Sequence, residues 1–259
     1  MITEVIRKEI FSQLQEIEQR EKIRILYCCE SGSRAWGFAS NDSDYDVRFI
    51  YVHPQDWYLS INDKKDSIEY PLIGELDFGG WEIRKALRLM RKSNAVIFEW
   101  LQSPIIYWKN EDFVKRIWPL AEKCFAPKPA INHYLGLAIN AYNSFKNSQQ
   151  TKAKKYFYVI RPVLAAYWIA QKGTIPPMEY HKLLPLIEDQ NILAILDDLL
   201  KKKRNSAEGD LVDVIPELHI YIDKLFTYCD SQKNAFESKH TDIDHLDKFF
   251  RALIHAGNH

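Results

Sequence analysis

The sequence predicts an α+β fold, with strands and helices mixed over residues 1–125 and helices alone over 126–259. Three observations predict it. Short β-rich runs, "KIRILYCCE" and "DVRFIYVHP", fall in the first part. Apolar residues recur at helical spacing through the second. Between them "APKPA", Ala126 to Ala130, carries two prolines and reads as a linker.

The elements follow in order. Residues 2–20 form an amphipathic helix, because Val5, Ile6, Ile10, Leu14 and Ile17 recur at helical spacing. "KIRILYCCE" is a strand, so its adjacent Cys28 and Cys29 point to opposite faces. "DVRFIYVHP" is a second strand, ended by Pro54, and "DSIEY" and "GELDF" are short and β-like. From Gly80 the pattern turns helical through "WEIRKALRLMRKSNAVIFEWL", with Ser93 as an N-cap inside it. In the second part "YFYVIRPVLAAYWIAQK", "NILAILDDLLKKKR" and "HLDKFFRALIHA" are helices. "KKKR", Lys201 to Arg204, is the charged last turn of its helix, where the macrodipole favours cations. Thr241 and Asp244 read as a capping box rather than as part of a metal cluster with Asp242, His245 and Asp247.

Composition excludes several classes. Lysine plus arginine equals aspartate plus glutamate, 35 of each, so the surface carries no global field for steering nucleic acid, although local basic patches survive averaging. No apolar run reaches membrane-spanning length, and the charged N-terminus lacks a signal-peptide core. Four cysteines without C-x-x-C spacing give neither a zinc knuckle nor a disulfide framework. A reduced, cytoplasmic protein without a membrane partner is expected.

The chemistry concentrates in "ESGSRAWGFASNDSDYDV", Glu30 to Val47. Asp44 and Asp46 flank Tyr45 where a strand begins, and period-two geometry puts both carboxylates on one face. Two such charges repel unless a cation sits between them. Oxygen-only ligands on a rigid strand suit Mg²⁺. Gly32 and Ser33 follow the apolar strand and open a short helix, where backbone N–H groups and a hydroxyl can meet an anion. Arg34 directly follows and can reach a phosphate; its alternative is a salt bridge to Glu30 or Asp42. Arg48 lies on the face of Asp46 and can neutralise the carboxylates.

The string "GSRAWGFASNDSDYDV" resembles the Gly-Ser…Asp-x-Asp signature of the DNA polymerase β-like nucleotidyltransferase superfamily. More narrowly, it is similar to a bacterial group of nucleotidyltransferases, some of them associated with RNA-repair ligases. "WEIRKALRLM", "SNAVIFEWLQSP" and "YFYVIRPVLAA" carry the likeness to about residue 178. The resemblance implies a small mixed-sheet nucleotidyltransferase core followed by an all-helical domain that binds nucleotide and acceptor. It also implies transfer of a nucleoside monophosphate from an NTP, ATP first among them, to an acceptor hydroxyl, with release of pyrophosphate. Two Mg²⁺ ions, or Mn²⁺, would assist.

On that pattern Gly32 and Ser33 would hold phosphates, and Asp44 and Asp46 would be catalytic metal ligands. The third acid falls in Leu76-Asp77-Phe78, with Glu75 a competitor two residues away. Asp77 would also orient or deprotonate the acceptor hydroxyl. In "AKKYFYVIRPVLAA", Lys154, Tyr158 and Arg161 share one helix face, with Lys155 beside them, and would serve the nucleotide. Arg161 sits inside an apolar stretch and needs an anionic partner, which a triphosphate could be. Asn94 and Glu99 resemble family positions without a definite chemistry. The acceptor is an RNA 3′ end, a protein hydroxyl or a small molecule. The alternatives to an RNA-directed transferase are a catalytically silent nucleotide-binding scaffold and an antitoxin-like protein adenylyltransferase.

Overall fold

The computed structural model describes residues 2–40, 43–205, 211–237 and 243–255. Helix α1, Glu4–Glu21, starts at Thr3, whose side chain accepts from the Ile6 amide, and stops at Lys22 in left-handed backbone. Five strands follow within the first part: β1 Arg24–Glu30, β2 Tyr45–Val52, β3 Ser67–Glu69, β4 Leu76–Glu82 and β5 Ile106–Lys109. They form one sheet in the order β3-β4-β2-β1-β5. β2 and β4 run parallel and the other pairs antiparallel, so the sheet is mixed.

Alternation along the strands assigns the two faces. Tyr45, Val47, Phe49 and Tyr51 of β2 and Leu76 and Phe78 of β4 pack with Ile10, Leu14 and Ile17 of α1. Ile50 and Val52 point the other way, into a larger cluster built mainly from helices. Cys28 joins the first cluster and Cys29 the second, as their adjacency requires. By the same parity Asp46, Arg48 and Asp77 lie on the helical side of the sheet.

The helices of the first part are α2 Gly32–Trp36, α3 Gln55–Tyr58, α4 Ile83–Arg91, α5 Ala95–Gln102 and α6 Glu111–Cys124. β4 continues through Gly80 to Glu82, past the point where the helical pattern was expected to begin. Its burial alternates along the whole run, so the sheet holds residues 80–82. Glu82 then caps α4, accepting from the amides of Arg84 and Lys85. The expected long helix divides at Ser93, which is buried with φ +53. Ser93 is a joint rather than a cap: its hydroxyl donates to Cys124 O and accepts from Ala126 N. The N-cap of α5 is Asn94, whose side chain accepts from Val96 N at 3.0 Å.

The second part contains α7 Pro127–Asn143, α8 Ala153–Lys172, α9 Tyr180–Leu183, α10 Gln190–Asn205, α11 Pro216–Gln232 and α12 Ile243–His255. The "APKPA" segment is the first turn of α7 with Pro127 opening it, not a linker; proline suits that place because its missing N–H is not needed there. α8 stays helical through Pro162. A ribbon of two three-residue strands, β6 Gln150–Lys152 and β7 Leu211–Asp213, interrupts the helices. The larger apolar cluster runs through Phe98, Phe125, Ile131, Val163 and Leu225, across position 125. All four cysteines are buried and reduced. Among the described residues no helix is long and apolar enough to cross a membrane. Asp42, Thr241 and Asp242, weighed above for ion-pair, capping and metal roles, lie outside the described residues.

Candidate active site

Parallel pairing of β2 with β4 places Asp46 directly opposite Asp77. Both project to the helical side, at the N-terminal end of the two strands. Asp44 is exposed, one step before β2, and its charge still raises the Asp46 pKa. Glu75 is exposed and lies in the turn before β4 rather than on the strand itself, with its carbonyl accepting from Tyr45 N.

Gly32 explains why the turn after β1 begins with glycine. Its φ is +57°, and a Cβ there would fall 2.0 Å from Asp46 Oδ2. No side chain can occupy that position without displacing the carboxylate. The turn is held further by Ser31 N donating to Asp46 O at 2.8 Å. Ser33 is buried in α2, whose end is sealed by Gly37 and Phe38 amides donating to the Ser33 carbonyl. Arg34 folds back over the Tyr45 ring, 3.8 Å from its centroid, and donates to the carbonyls of Asp44 and Ser43. It therefore braces the approach to β2 and makes no ion pair with Glu30; Asp42, the other partner weighed for it, lies outside the described residues.

Two charged groups set the electrostatics. Arg48 Nη2 donates to Asp46 Oδ1 at 3.0 Å and to Asp77 Oδ2 at 2.6 Å, while Nη1 donates to the Asp77 carbonyl. A cation thus stands between the two carboxylates. Burial pushes the Asp46 pKa up, Arg48 draws it down, and Asp77 and Asp44 push it up again. Behind the strand, Glu30 is fully buried. It accepts from Asp46 N at 2.9 Å and from the Tyr107 hydroxyl, and burial raises its pKa to about 7. Glu30 fixes the backbone that carries Asp46. The signal for it was a carboxylate ending the otherwise apolar run "ILYCCE".

A second charged cluster joins α2 to the helical part. Arg161 of α8 is 3% exposed and donates to Glu99 of α5 at 2.8 Å and to Met178 O at 3.1 Å. Tyr134 of α7 and Trp36 of α2 also donate to Glu99. The Arg161 guanidinium lies over the Trp36 ring at 4.6 Å. The anionic partner that Arg161 required is therefore Glu99, within the protein, and this supplies the chemistry that Glu99 lacked on sequence grounds. Tyr158 is exposed and meets the rings of Trp36 and Phe38 edge-on. Lys154 and Lys155 are half-buried in the first turn of α8. α8 thus meets the far end of the helix that Gly32 opens. The end of α10 also reaches this loop: buried Lys203 donates to Ser40 Oγ, and Arg204 to Gly37 O. The "KKKR" run does close α10, as expected, with Lys202, Lys203 and Arg204 in its last turn, and Lys201 and Lys202 pair with Asp197 and Asp198.

The donor set fits a hard divalent cation in kind, being three carboxylates without nitrogen or sulfur. Among the described residues, however, no three ligating side chains converge as a preformed cluster. Arg48 takes the place between Asp46 and Asp77 that a cation would fill.

A mixed sheet with paired aspartates behind a Gly-Ser turn has the plan of a nucleotidyltransferase. The chain belongs to the RNA repair pathway DNA polymerase beta family, whose model matches residues 6–252. Membership supports nucleotidyl transfer as the general chemistry. The chain is also similar to the uncharacterized protein YcgL of Bacillus subtilis (strain 168), at 43% identity over 219 residues, 84% of each chain. A comparison of structures also matched a nucleotidyltransferase-like protein from Exiguobacterium sibiricum 255-15, 10% identical with a TM-score of 0.33. That match covers 89% of this chain and 75% of the other. The assignment rests on the family match.

Proposed function

We propose that the protein transfers a nucleoside monophosphate from an NTP, ATP first among them, to the 3′ hydroxyl of an RNA, releasing pyrophosphate. The observation that carries this reading is Asp46 paired in register with Asp77, with Gly32 pressed against the Asp46 carboxylate. The family's place in RNA repair supports RNA as acceptor. Gly32 and Ser33 would receive the triphosphate, with Lys154, Lys155 and Tyr158 lining the side that α8 presents. Arg34 and Glu30 hold the backbone of Asp44 and Asp46 in place. Arg161 acts through Trp36, fixing the far end of α2. Asp77 accepts the acceptor's hydroxyl proton. Mg²⁺, or Mn²⁺, would be held by Asp44, Asp46 and Asp77 and would neutralise charge on the triphosphate.

A second reading is favoured by Arg48. With both carboxylates engaged by one guanidinium, the site could bind nucleotide as a silent scaffold. One experiment separates the readings. The protein is incubated with each α-labelled NTP and Mg²⁺ or Mn²⁺, against tRNA, bulk RNA and cell-extract protein. Label on RNA is expected. Label on protein alone would mean a protein adenylyltransferase, and no label with retained NTP binding would mean a scaffold.

A further inference from the structure

We propose that the face formed by α3, α4 and α12 docks single-stranded nucleic acid, at the opposite end of the sheet from the acids. Asp77 stands near the start of β4, and α4 begins where β4 ends; Asp77 to Glu82 is roughly 16 Å of strand. Arg84, Arg88 and Arg91 of α4 lie at i, i+4 and i+7, on one face and about one turn apart. Two cavities share Arg84 and Arg88. One, of about 310 Å³, is lined also by Trp57, Asn62 and Lys64. The other, of about 230 Å³, is lined also by Arg91, Leu246 and Phe250.

The row is not explained by internal pairing. Some surface cations meet carboxylates, as Lys8 does Glu4, Arg116 does Asp112 and Lys182 does Glu179. Among the described residues, none of the three α4 arginines has a carboxylate within ion-pair distance. The nearby acids are already engaged: Glu82 caps α4 and accepts from the Tyr58 hydroxyl, and Asp66 pairs with Lys85. Asp63 and Asp247 line the cavities without pairing to the arginines. Among the described residues lining the two cavities, four cations, Arg84, Arg88, Arg91 and Lys64, thus face two carboxylates, Asp63 and Asp247, without an ion pair.

The spacing suits a polyanion rather than one phosphate. Three guanidiniums recurring every turn of a helix form a line of charge, each able to take a phosphate oxygen pair. Aromatic faces sit at one end of the line. Trp57 is stacked on His53 at 4.1 Å and 8°, and Lys64 and Arg84 lie over its ring at 5.3 and 5.9 Å. Cations beside half-buried aromatic rings are what a single-stranded nucleic acid requires, and what an acidic peptide does not. The inference deepens the RNA-acceptor reading and rests on it only for the choice of RNA.

The test is fluorescence anisotropy with a labelled single-stranded RNA of about twelve nucleotides. It uses the full chain, a chelator and no NTP, across a salt series. Wild type should bind with log K falling linearly in log salt. Arg88→Glu with Arg91→Glu should bind about tenfold more weakly or worse, and its slope should be shallower by about 1.4, at 0.7 per lost phosphate contact. Both side chains are exposed, and an unchanged melting curve would confirm the fold. Asp46→Asn should bind the RNA as wild type does, which separates failure of docking from failure of transfer. Equal affinity and slope in the double variant would overturn the proposal. So would a polyglutamate peptide that binds as tightly with the same sensitivity, since the surface would then read acidic protein.

Discussion

Two of the arginine–carboxylate sites among the described residues differ in what seals them. Arg161 with Glu99 lies between α8 and α5, both side chains under 10% exposed, with Tyr134 and Trp36 completing the shell. Arg48 with Asp46 and Asp77 lies on the sheet, with side chains 20%, 31% and 40% exposed. In the sealed site the guanidinium is paired from within through Nη1 and Nε, while its buried Nη2 has no hydrogen-bond partner among the described residues. In the open site a guanidinium holds two carboxylates that stay partly exposed to solvent. The same pairing chemistry thus ties elements together in one place and, on the function proposed above, leaves an exchangeable partner in the other.

Breaking the sealed site should have the largest effect on stability. Arg161→Ala leaves Glu99 buried without its cation, and about 3–5 kcal/mol of unfolding free energy should be lost. Urea unfolding measures it. Replacing both residues, Arg161→Met with Glu99→Leu, should recover part of the loss. The recovery is incomplete because Trp36 Nε1 and Tyr134 OH lose their acceptor. A wild-type midpoint in Arg161→Ala would mean the pair is not sealed in solution.

Breaking the acids of the open site should act on turnover instead. Asp46→Asn and Asp77→Asn should each lower transfer by about 10²–10³-fold or more, on the scale of one lost transition-state partner. The fold should survive, because removing either charge relieves their mutual repulsion. Glu75→Gln, in the turn, should change transfer little. The reverse pattern between Asp77 and Glu75 would move the third acid.

Arg48 should matter less to stability and more to exchange. Arg48→Ala should cost about 1 kcal/mol, since the pairs are partly solvated. It also frees the space between two like charges. Mg²⁺ in the absence of nucleotide should therefore raise the melting temperature of Arg48→Ala more than that of wild type. Equal shifts would show that no cation competes for the arginine's place.

Legibility divides along the same line. The open site was readable because its parts are close in sequence and obey strand parity. Gly32, Ser33, Asp44 and Asp46 fall within fifteen residues, and Asp77 was pointed out by the triplet that the family resemblance implies; the parallel pairing that sets it opposite Asp46 is seen only in the structure. The strands and most helices were readable from the same alternation. The sealed site was half readable. Arg161 stood out in an apolar stretch, but its partner lies 62 residues away on another helix, and no local pattern links them. Glu30 was missed and Ser93 misjudged for a related reason. Each does its work through backbone groups distant in sequence, Asp46 N for one and Cys124 O and Ala126 N for the other. The residues 126–130 were misread because proline marks both linkers and first helical turns, and only tertiary packing decides between them.

The smallest effect tests whether the counter-charge, rather than burial, decides the state of a half-buried group. His53 supplies the case, at the end of β2 and away from both arginine sites. It is stacked on Trp57, and the nearest charges include Lys64, which opposes protonation, with Glu21 as a weaker opposite influence. Burial first and Lys64 second lower its pKa from 6.5 to about 4. Below pH 6.5 the unfolded chain takes up a proton that the folded chain refuses until about pH 4. The unfolded state thus binds more protons across that window, and stability falls as pH falls through it. The His53 contribution is fully present above pH 6.5 and gone below pH 4. Solvent screening of a half-buried ring reduces the difference to about 1 kcal/mol. His53→Phe keeps a ring against Trp57 and removes the titration. Unfolding free energies measured from pH 7 to 4 should therefore fall more steeply for wild type than for His53→Phe, and the excess should vanish above pH 6.5. Parallel curves would mean that His53 titrates alike in the folded and unfolded chain, so that neither burial nor Lys64 disfavours its charge.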